Sequence, residues 1–228
     1  MKLTTIITVY NEKNTIVKAI EEAKKIQLEN EIIIIDNAST DGTREILRSL
    51  NDNSLKIVYQ SKNYGYGTSV TTGMSLALGE YLFIHNSDLE YDPVCIYEML
   101  SCAENENLDV VFGSRLLGRR GESIFKILKE RPFYLGTVIT TTLINIFYGK
   151  NFSDIIGNRL YRTESLKKIN PQNAGIGFDF EVVSKLCKLG YRIKEIPVKY
   201  SPRTKGKKVK PYDIIPAVLT ILKVKIFG

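Results

Sequence analysis

Cysteine is scarce in this chain. Its 228 residues hold three, Cys95, Cys102 and Cys187, too few and too odd in number for a disulfide framework, and such usage suits a reducing compartment. There is one histidine, His85, inside an apolar run, and it is assigned no role. Ser69 and Ser184 have no histidine partner in their sequence context, so a serine hydrolase is not supported. No G-x-G-x-x-G follows the first apolar run, and no G-x-x-x-x-G-K occurs anywhere. A phosphate ligand would therefore need a cation rather than a glycine cradle. No stretch reaches the ~18 uninterrupted apolar residues of a spanning helix. The opening MKLTTIITVYNE does not read as a signal peptide. Internal repeats and low-complexity segments are absent.

Positive charge, by contrast, is in excess, with a formal net charge of +7. Much of it is concentrated late in the chain. Lys188, Arg192, Lys194, Lys199, Arg203, Lys205, Lys207 and Lys208 are opposed there only by Glu195. Such a block suits phosphate on a nucleotide or a lipid head group. Nucleic-acid binding would rest on charge alone, because no helix-turn-helix, zinc or RNA-recognition signature accompanies it.

The first half alternates apolar runs with helical patterns. LTTIITV (3–9), EIIIID (31–36), LKIVYQ (55–60), EYLFIHN (80–86) and DVVFGSR (109–115) read as strands. Between the first two, Ile16, Ile20, Ala23 and Ile26 share a helix face. Ser39, Thr40 or Asp41 can cap the next helix, another spans roughly 67–78, and a fourth follows Asp92-Pro93. This rhythm predicts an α/β fold with a mainly parallel, doubly wound, Rossmann-like sheet. Later, 116–132 reads as a basic loop, and 134–148 and 179–189 as helices. Residues 192–200 read as a strand, placed at an edge by Pro197. The closing 212–227 run reads as an amphipathic helix. Its apolar side would carry Ile215, Val218, Leu219 and Leu222, with Pro216 in its first turn or kinking it. The predicted division is a catalytic domain over 1–210 and a membrane- or partner-contacting helix over 211–228.

In such sheets ligands bind beyond the carboxyl ends of the strands. The first strand delivers Tyr10, Asn11 and Glu12 there, the second Asp36 and Asn37, the fourth Asn86, Ser87, Asp88 and Glu90, and the fifth Ser114 and Arg115. Asn86, Asp88 and Glu90 alternate, so in extended backbone they face one side. These hard oxygen donors suit Mg²⁺ or Mn²⁺ shared with phosphate oxygens and water.

Taken together the motifs resemble glycosyltransferase family 2, in particular its polyprenyl-phosphate sugar synthases. ITVYNEKNTI (7–16) is similar to the family's I-P-x-Y-N-E, and IIIIDNASTDGT (32–43) to V-D-D-x-S-x-D-G-T. NYGYGTSVTTGMSLALGEYLFIHNSDLEYDP (63–93) resembles N-x-G-x-G-x-A running into the metal motif D-x-D-x-Q-Y-D-P. VFGSR (111–115) resembles the family's G-S-R. Residues 178–208 resemble its C-terminal helix, strand and basic loop. The resemblance implies a GT-A fold with a mixed C-terminal part. Tyr10, Glu12, Ile35, Asp36 and Asn37 would hold base and ribose. Asn86, Asp88 and Glu90 would hold the metal, with Ser87 beside it. Arg115 and Arg203, with Lys207 or Lys208, would meet diphosphate or acceptor phosphate. Several positions depart from the pattern. Thr8 stands for a Pro, Asn37 for the second base-reading Asp, and Asn86 for the first metal Asp. SDIIGNRLYR (153–162) is one residue short of D-x-x-x-G-x-R-x-x-R, which leaves the role of Asp154 open.

The expected reaction is metal-assisted, inverting transfer of a sugar from a GDP- or UDP-linked donor to a polyprenyl phosphate at the cytoplasmic face of a membrane, docked directly or through an integral membrane partner. A lipid phosphate is already anionic and needs no strong base. A sugar hydroxyl acceptor, the alternative, would need one, and Asp179 or Glu181 could supply it. A third reading is a non-catalytic nucleotide-sugar-binding protein, in which Asn86 marks a decayed metal site.

Overall fold

The computed structural model describes residues 1–119, 121–132, 134–203 and 210–228. Seven strands form one sheet: β1 (Leu3–Val9), β2 (Asn30–Asp36), β3 (Leu55–Tyr59), β4 (Tyr81–Asn86), β5 (Val110–Ser114), β6 (Asn158–Arg162) and β7 (Ile193–Pro197). Their order is β3-β2-β1-β4-β6-β5-β7, parallel throughout except for β6, which runs antiparallel to both neighbours. The α/β expectation therefore holds, with the mixed part at the C-terminal side. β-branched side chains dominate β1 and β2, where both faces are covered. In β2, Ile32 through Ile35 are all buried.

Nine helices pack on this sheet among the described residues: α1 (Ile16–Lys24), α2 (Thr43–Ser49), α3 (Tyr66–Leu76), α4 (Cys95–Asn105), α5 (Ile124–Glu130), α6 (Tyr134–Tyr148), α7 (Thr163–Ile169), α8 (Phe178–Lys188) and α9 (Ile214–Phe227). Helices α1, α2 and α4 cover one face, and α3, α7 and α8 the other, where α6 and α9 join the same core. Helix α1 turns Ile16, Ala19, Ile20 and Ala23 inward at helical spacing. At the start of α2, Asp41 accepts from the Thr43 N–H at 3.0 Å, while Gly42 takes the left-handed conformation its φ of 103° requires.

Three expectations change. The 116–132 segment is not all loop: a single turn at Leu117–Arg119 and α5 lie within it, held by Arg119 donating to Glu122. Residues 153–162 contain β6, an unforeseen strand, followed by α7. Finally, α9 is apolar on two sides rather than one. Ala217, Ile221 and Val224 are buried against α8 and α6, whereas Ile215 and Leu219 stay 59% and 60% exposed. The boundary at 210 thus separates no two cores, since Ala217 and Ile221 belong to the cluster that holds Phe178 and Val182. Pro216 sits in the first turn of α9, where its missing N–H leaves no bond unmade.

Candidate active site

Register brings the strand ends level. Val9 lies opposite Asp36, and Thr8 opposite Asn86. Immediately beyond, the chain adopts left-handed conformations at Asn11 (φ 53°), Ala38 (φ 61°) and Leu89 (φ 59°). Three non-glycine residues in this sparsely populated region, one after each of three strands, mark a locally strained rim. The turns at Asn11 and Ala38 are pinned together, because the Ser39 hydroxyl accepts from the Asn11 N–H at 2.9 Å and Asn11 Oδ1 accepts from the Thr40 N–H at 2.7 Å.

This rim borders a cavity of about 490 Å³ whose lining includes Tyr10, Glu12, Asn37, Asn86, Ser87, Asp88, Glu90, Arg115, Asp179 and Arg203. All ten are positions that the sequence singles out, and the fold brings them to one cavity. Ile35 and Asp36 do not reach the cavity. Ile35 is core, and Asp36 is fully buried, accepting from the Ser39 N–H and paired with Arg44. Asp36 therefore shapes the turn from behind. Asn37 faces the cavity, with its Oδ1 accepting from the Tyr64 N–H at 2.8 Å and its Nδ2 donating to Asn63 Oδ1 at 3.0 Å. Lys207 and Lys208 fall outside the described residues.

Just beyond β4, Asp88 accepts from the Glu90 N–H at 3.2 Å and has no ion-pair partner among the described residues. Burial, reinforced by the Glu90 charge, raises its pKa above the ordinary carboxylate value. An acid facing a cavity, with only the charge of Arg203 nearby to offset it, fits a divalent cation, with Asn86 as a neutral oxygen donor beside it. Glu90 has further partners. Its carboxylate accepts from the Tyr200 hydroxyl at 2.8 Å and the Arg203 N–H at 2.9 Å, and its carbonyl from the Ser201 N–H at 2.8 Å. Glu90 thus fastens the segment after β7 across the rim, and Arg203 Nη1 reaches Glu12 at 2.8 Å. Among the described residues no group of three or more His, Cys, Asp or Glu is arranged to hold a metal, so phosphate oxygens and water would complete the coordination.

At the opposite end, Asp154 answers the question the sequence left open. It is fully buried and grips Arg115 in a fork, Nε at 2.6 Å and Nη2 at 3.0 Å, with the Arg115 N–H at 3.0 Å. Tyr134 and Tyr200 lie 4.9 and 5.3 Å from the guanidinium. The cavity also takes in Arg159, which the sequence reading passed over. Arg159 pairs with Asp179 and donates to the Ile156 carbonyl at 3.0 Å. Asp179 is therefore not a free base. Burial pushes its carboxyl up while the Arg159 charge opposes this. Glu181 points elsewhere, accepting from the Gln172 and Asn173 N–H groups and pairing with Lys185. The signal for Arg159 was present in the G-x-R of SDIIGNRLYR, but only the antiparallel β6 aims it at the cavity.

The family model for glycosyl transferase family 2 matches residues 4–170. The chain belongs to that family. The low-salt glycan biosynthesis hexosyltransferase Agl6 of Haloferax volcanii is 27% identical over 206 residues, 88% of this chain and 48% of its own length, so the chain spans about half of that relative. An undecaprenyl-phosphate mannosyltransferase of Micrococcus luteus is 25% identical over 215 residues, 90% of this chain and 86% of the relative. Glucosyl-3-phosphoglycerate synthase from Mycobacterium tuberculosis, solved with Mn²⁺, UDP and phosphoglyceric acid, superposes with a TM-score of 0.72 at 16% identity, covering all of this chain and 79% of that one. S. aureus TarS with UDP-GlcNAc gives a TM-score of 0.67 at 21% identity, with 100% and 67% covered. These likenesses establish the GT-A fold for the family 2 chain.

Proposed function

We propose that this family 2 chain transfers a sugar from a GDP- or UDP-linked donor to the phosphate of a polyprenyl lipid, with inversion and with Mg²⁺ or Mn²⁺. The observation that carries the reading is the placement of two buried guanidinium groups, Arg115 and Arg159, on the same cavity as Asp88. Tyr10, Glu12 and Asn37 hold the base and ribose. The cation would be held by Asp88 with Asn86, and when bound it supplies charge stabilisation to the departing diphosphate. Arg203 adds a second positive charge there once it leaves Glu12. Arg115 and Arg159 hold an anionic acceptor oxygen towards the anomeric carbon, which is positioning work. Such an acceptor arrives deprotonated and needs no base, consistent with Asp179 being committed to Arg159. The mannosyltransferase relative acts, by its name, on undecaprenyl phosphate.

The lipid acceptor also accounts for the surface. Phe125, Leu135, Ile146, Ile215, Leu219 and Phe227 are all exposed apolar side chains on α5, α6 and α9. Lys223 and Lys225 stand near the end of α9. Apolar area beside cations suits peripheral docking on an anionic leaflet, here the cytoplasmic one, alone or with an integral membrane partner. No helix among the described residues is long and apolar enough to cross a membrane.

The test is a panel of radiolabelled UDP- and GDP-sugars with polyprenyl phosphate, with and without EDTA. Metal-dependent label in the organic phase is the expected result. The Agl6 relative is named for glycan synthesis, and label recovered only on free sugar hydroxyls would replace the lipid reading with that one.

A further inference from the structure

We propose that Glu195, on the edge strand β7 and outside the cavity, is a positioning residue that sets Arg115 for the acceptor. The inference rests on the reading of Arg115 as an acceptor-phosphate ligand. Glu195 lies opposite Phe112 in the β5–β7 register. Its carboxylate accepts three hydrogen bonds, from the Ser153 N–H at 2.7 Å, the Asp154 N–H at 2.8 Å and the Ser153 hydroxyl at 3.2 Å. No cation pairs with it among the described residues. The two amides it holds belong to the residues that reach back to β5. Asp154 forks onto Arg115, and Ser153 Oγ lies 2.6 Å from Ser114 Oγ.

The hydroxyl protons can run in one direction only. The Glu195 carboxylate can only accept, so the Ser153 proton goes to Glu195 and the Ser114 proton to Ser153, while Ser114 Oγ also accepts from the Leu117 N–H at 3.0 Å. Glu195 is thus the terminal acceptor of a chain that fixes both ends of the Ser114-Arg115 step. A carboxylate is needed at that terminus because every partner is a donor. In a glutamine of the same shape, one end carries –NH₂, and either orientation sets it against a backbone N–H. Burial of Glu195 raises its pKa, and the hydrogen bonds from Asp154 and Ser153 pull it back, so this ring of donors is built around the ionised form.

The experiment is a double-mutant cycle of Glu195→Gln and Arg115→Lys, with kinetics corrected for folded fraction. Glu195→Gln is expected to lower kcat/KM for the lipid phosphate about 10-fold while leaving the donor KM unchanged, and to have less than about a 2-fold effect in the Arg115→Lys background. Equal losses in both backgrounds would overturn the proposal, as would a lowered unfolding midpoint with normal kinetics. Ser153→Ala serves if the glutamine variant does not fold, with a smaller acceptor-specific loss, again absent in Arg115→Lys. Exchange of the Arg115 Nε–H, followed by NMR in the free protein, needs no acceptor. It should be slow in the native protein and fast in Glu195→Gln, and equal rates would refute the placement. If the lipid is not a substrate at all but exchange still accelerates, the acceptor assignment fails while the Glu195–Arg115 linkage stands.

Discussion

Asp88 and His85 are close in sequence, at the end of β4, and respond to pH in opposite senses. His85 is buried against Phe83 with no hydrogen-bond partner of normal geometry on either ring nitrogen, and burial pushes its pKa down to about 4. The unfolded chain binds this proton near pH 6.5 and the folded one does not. Its contribution is therefore intact above about 6.5 and is lost as pH falls from there to about 4, on the order of 3 kcal/mol. Urea unfolding of His85→Leu should show a flatter acid limb than the native protein, and parallel limbs would contradict the assignment. Asp88 has a raised pKa, so the folded form is penalised as pH climbs past the ordinary carboxylate range. Asp88→Asn should raise the unfolding midpoint at pH 7 while cutting transfer at least about 100-fold, the trade expected of a strained functional acid. A variant that is both less active and less stable would mean that the charge is compensated. That Tyr10, Glu12, Asp88, Arg115 and Arg203 would come together was legible because strand ends and polar spacing expose them, and all five line the cavity. Asp36 misled because a carboxylate at a strand end looks the same whether it faces the ligand or, as here, Arg44 behind the turn. The contacts of Glu90 could not be read because its partners, Tyr200 and Arg203, lie more than a hundred positions away.

Among elements, the five parallel strands expected from the first half formed with ends close to those predicted, because apolar runs of strand length broken by polar turns carry little ambiguity. Strand β6 escaped notice because NRLYR mixes charge into a strand whose arginines are buried or half-buried by pairing, Arg159 with Asp179 and Arg162 with Glu80. Helix α9 was visible, but not which side faces inward, since apolar residues encircle it. The two sides can be separated by experiment. Ile221→Asp places a charge in the core beside α8 and should unfold the protein or cost several kcal/mol. Leu219→Asp should leave the unfolding midpoint within about 2 °C and weaken flotation with anionic vesicles at low salt several-fold. Undiminished flotation of the soluble Leu219→Asp variant would remove α9 from the membrane contact.

For the whole molecule, the site is assembled from both ends of the chain. Arg203 is expected to matter more as charge develops on the leaving diphosphate than in holding the donor. Arg203→Ala should then lower kcat about 100-fold or more while changing the donor Kd by less than about 5-fold, as measured by single turnover beside equilibrium binding. Matching losses in affinity and kcat/KM with kcat untouched would make it a ground-state contact. The ion pair between Glu12 and Arg203 spans 191 positions. During synthesis Glu12 leaves the ribosome 191 positions ahead of Arg203, and chains grow at about 5–20 residues per second. For roughly ten seconds or more the parallel half of the sheet can form while its rim carries carboxylates with no Arg203 to meet them. A nascent chain that stops short of Arg203 would therefore present an open, acidic mouth, and the cavity is completed only once synthesis has passed Arg203.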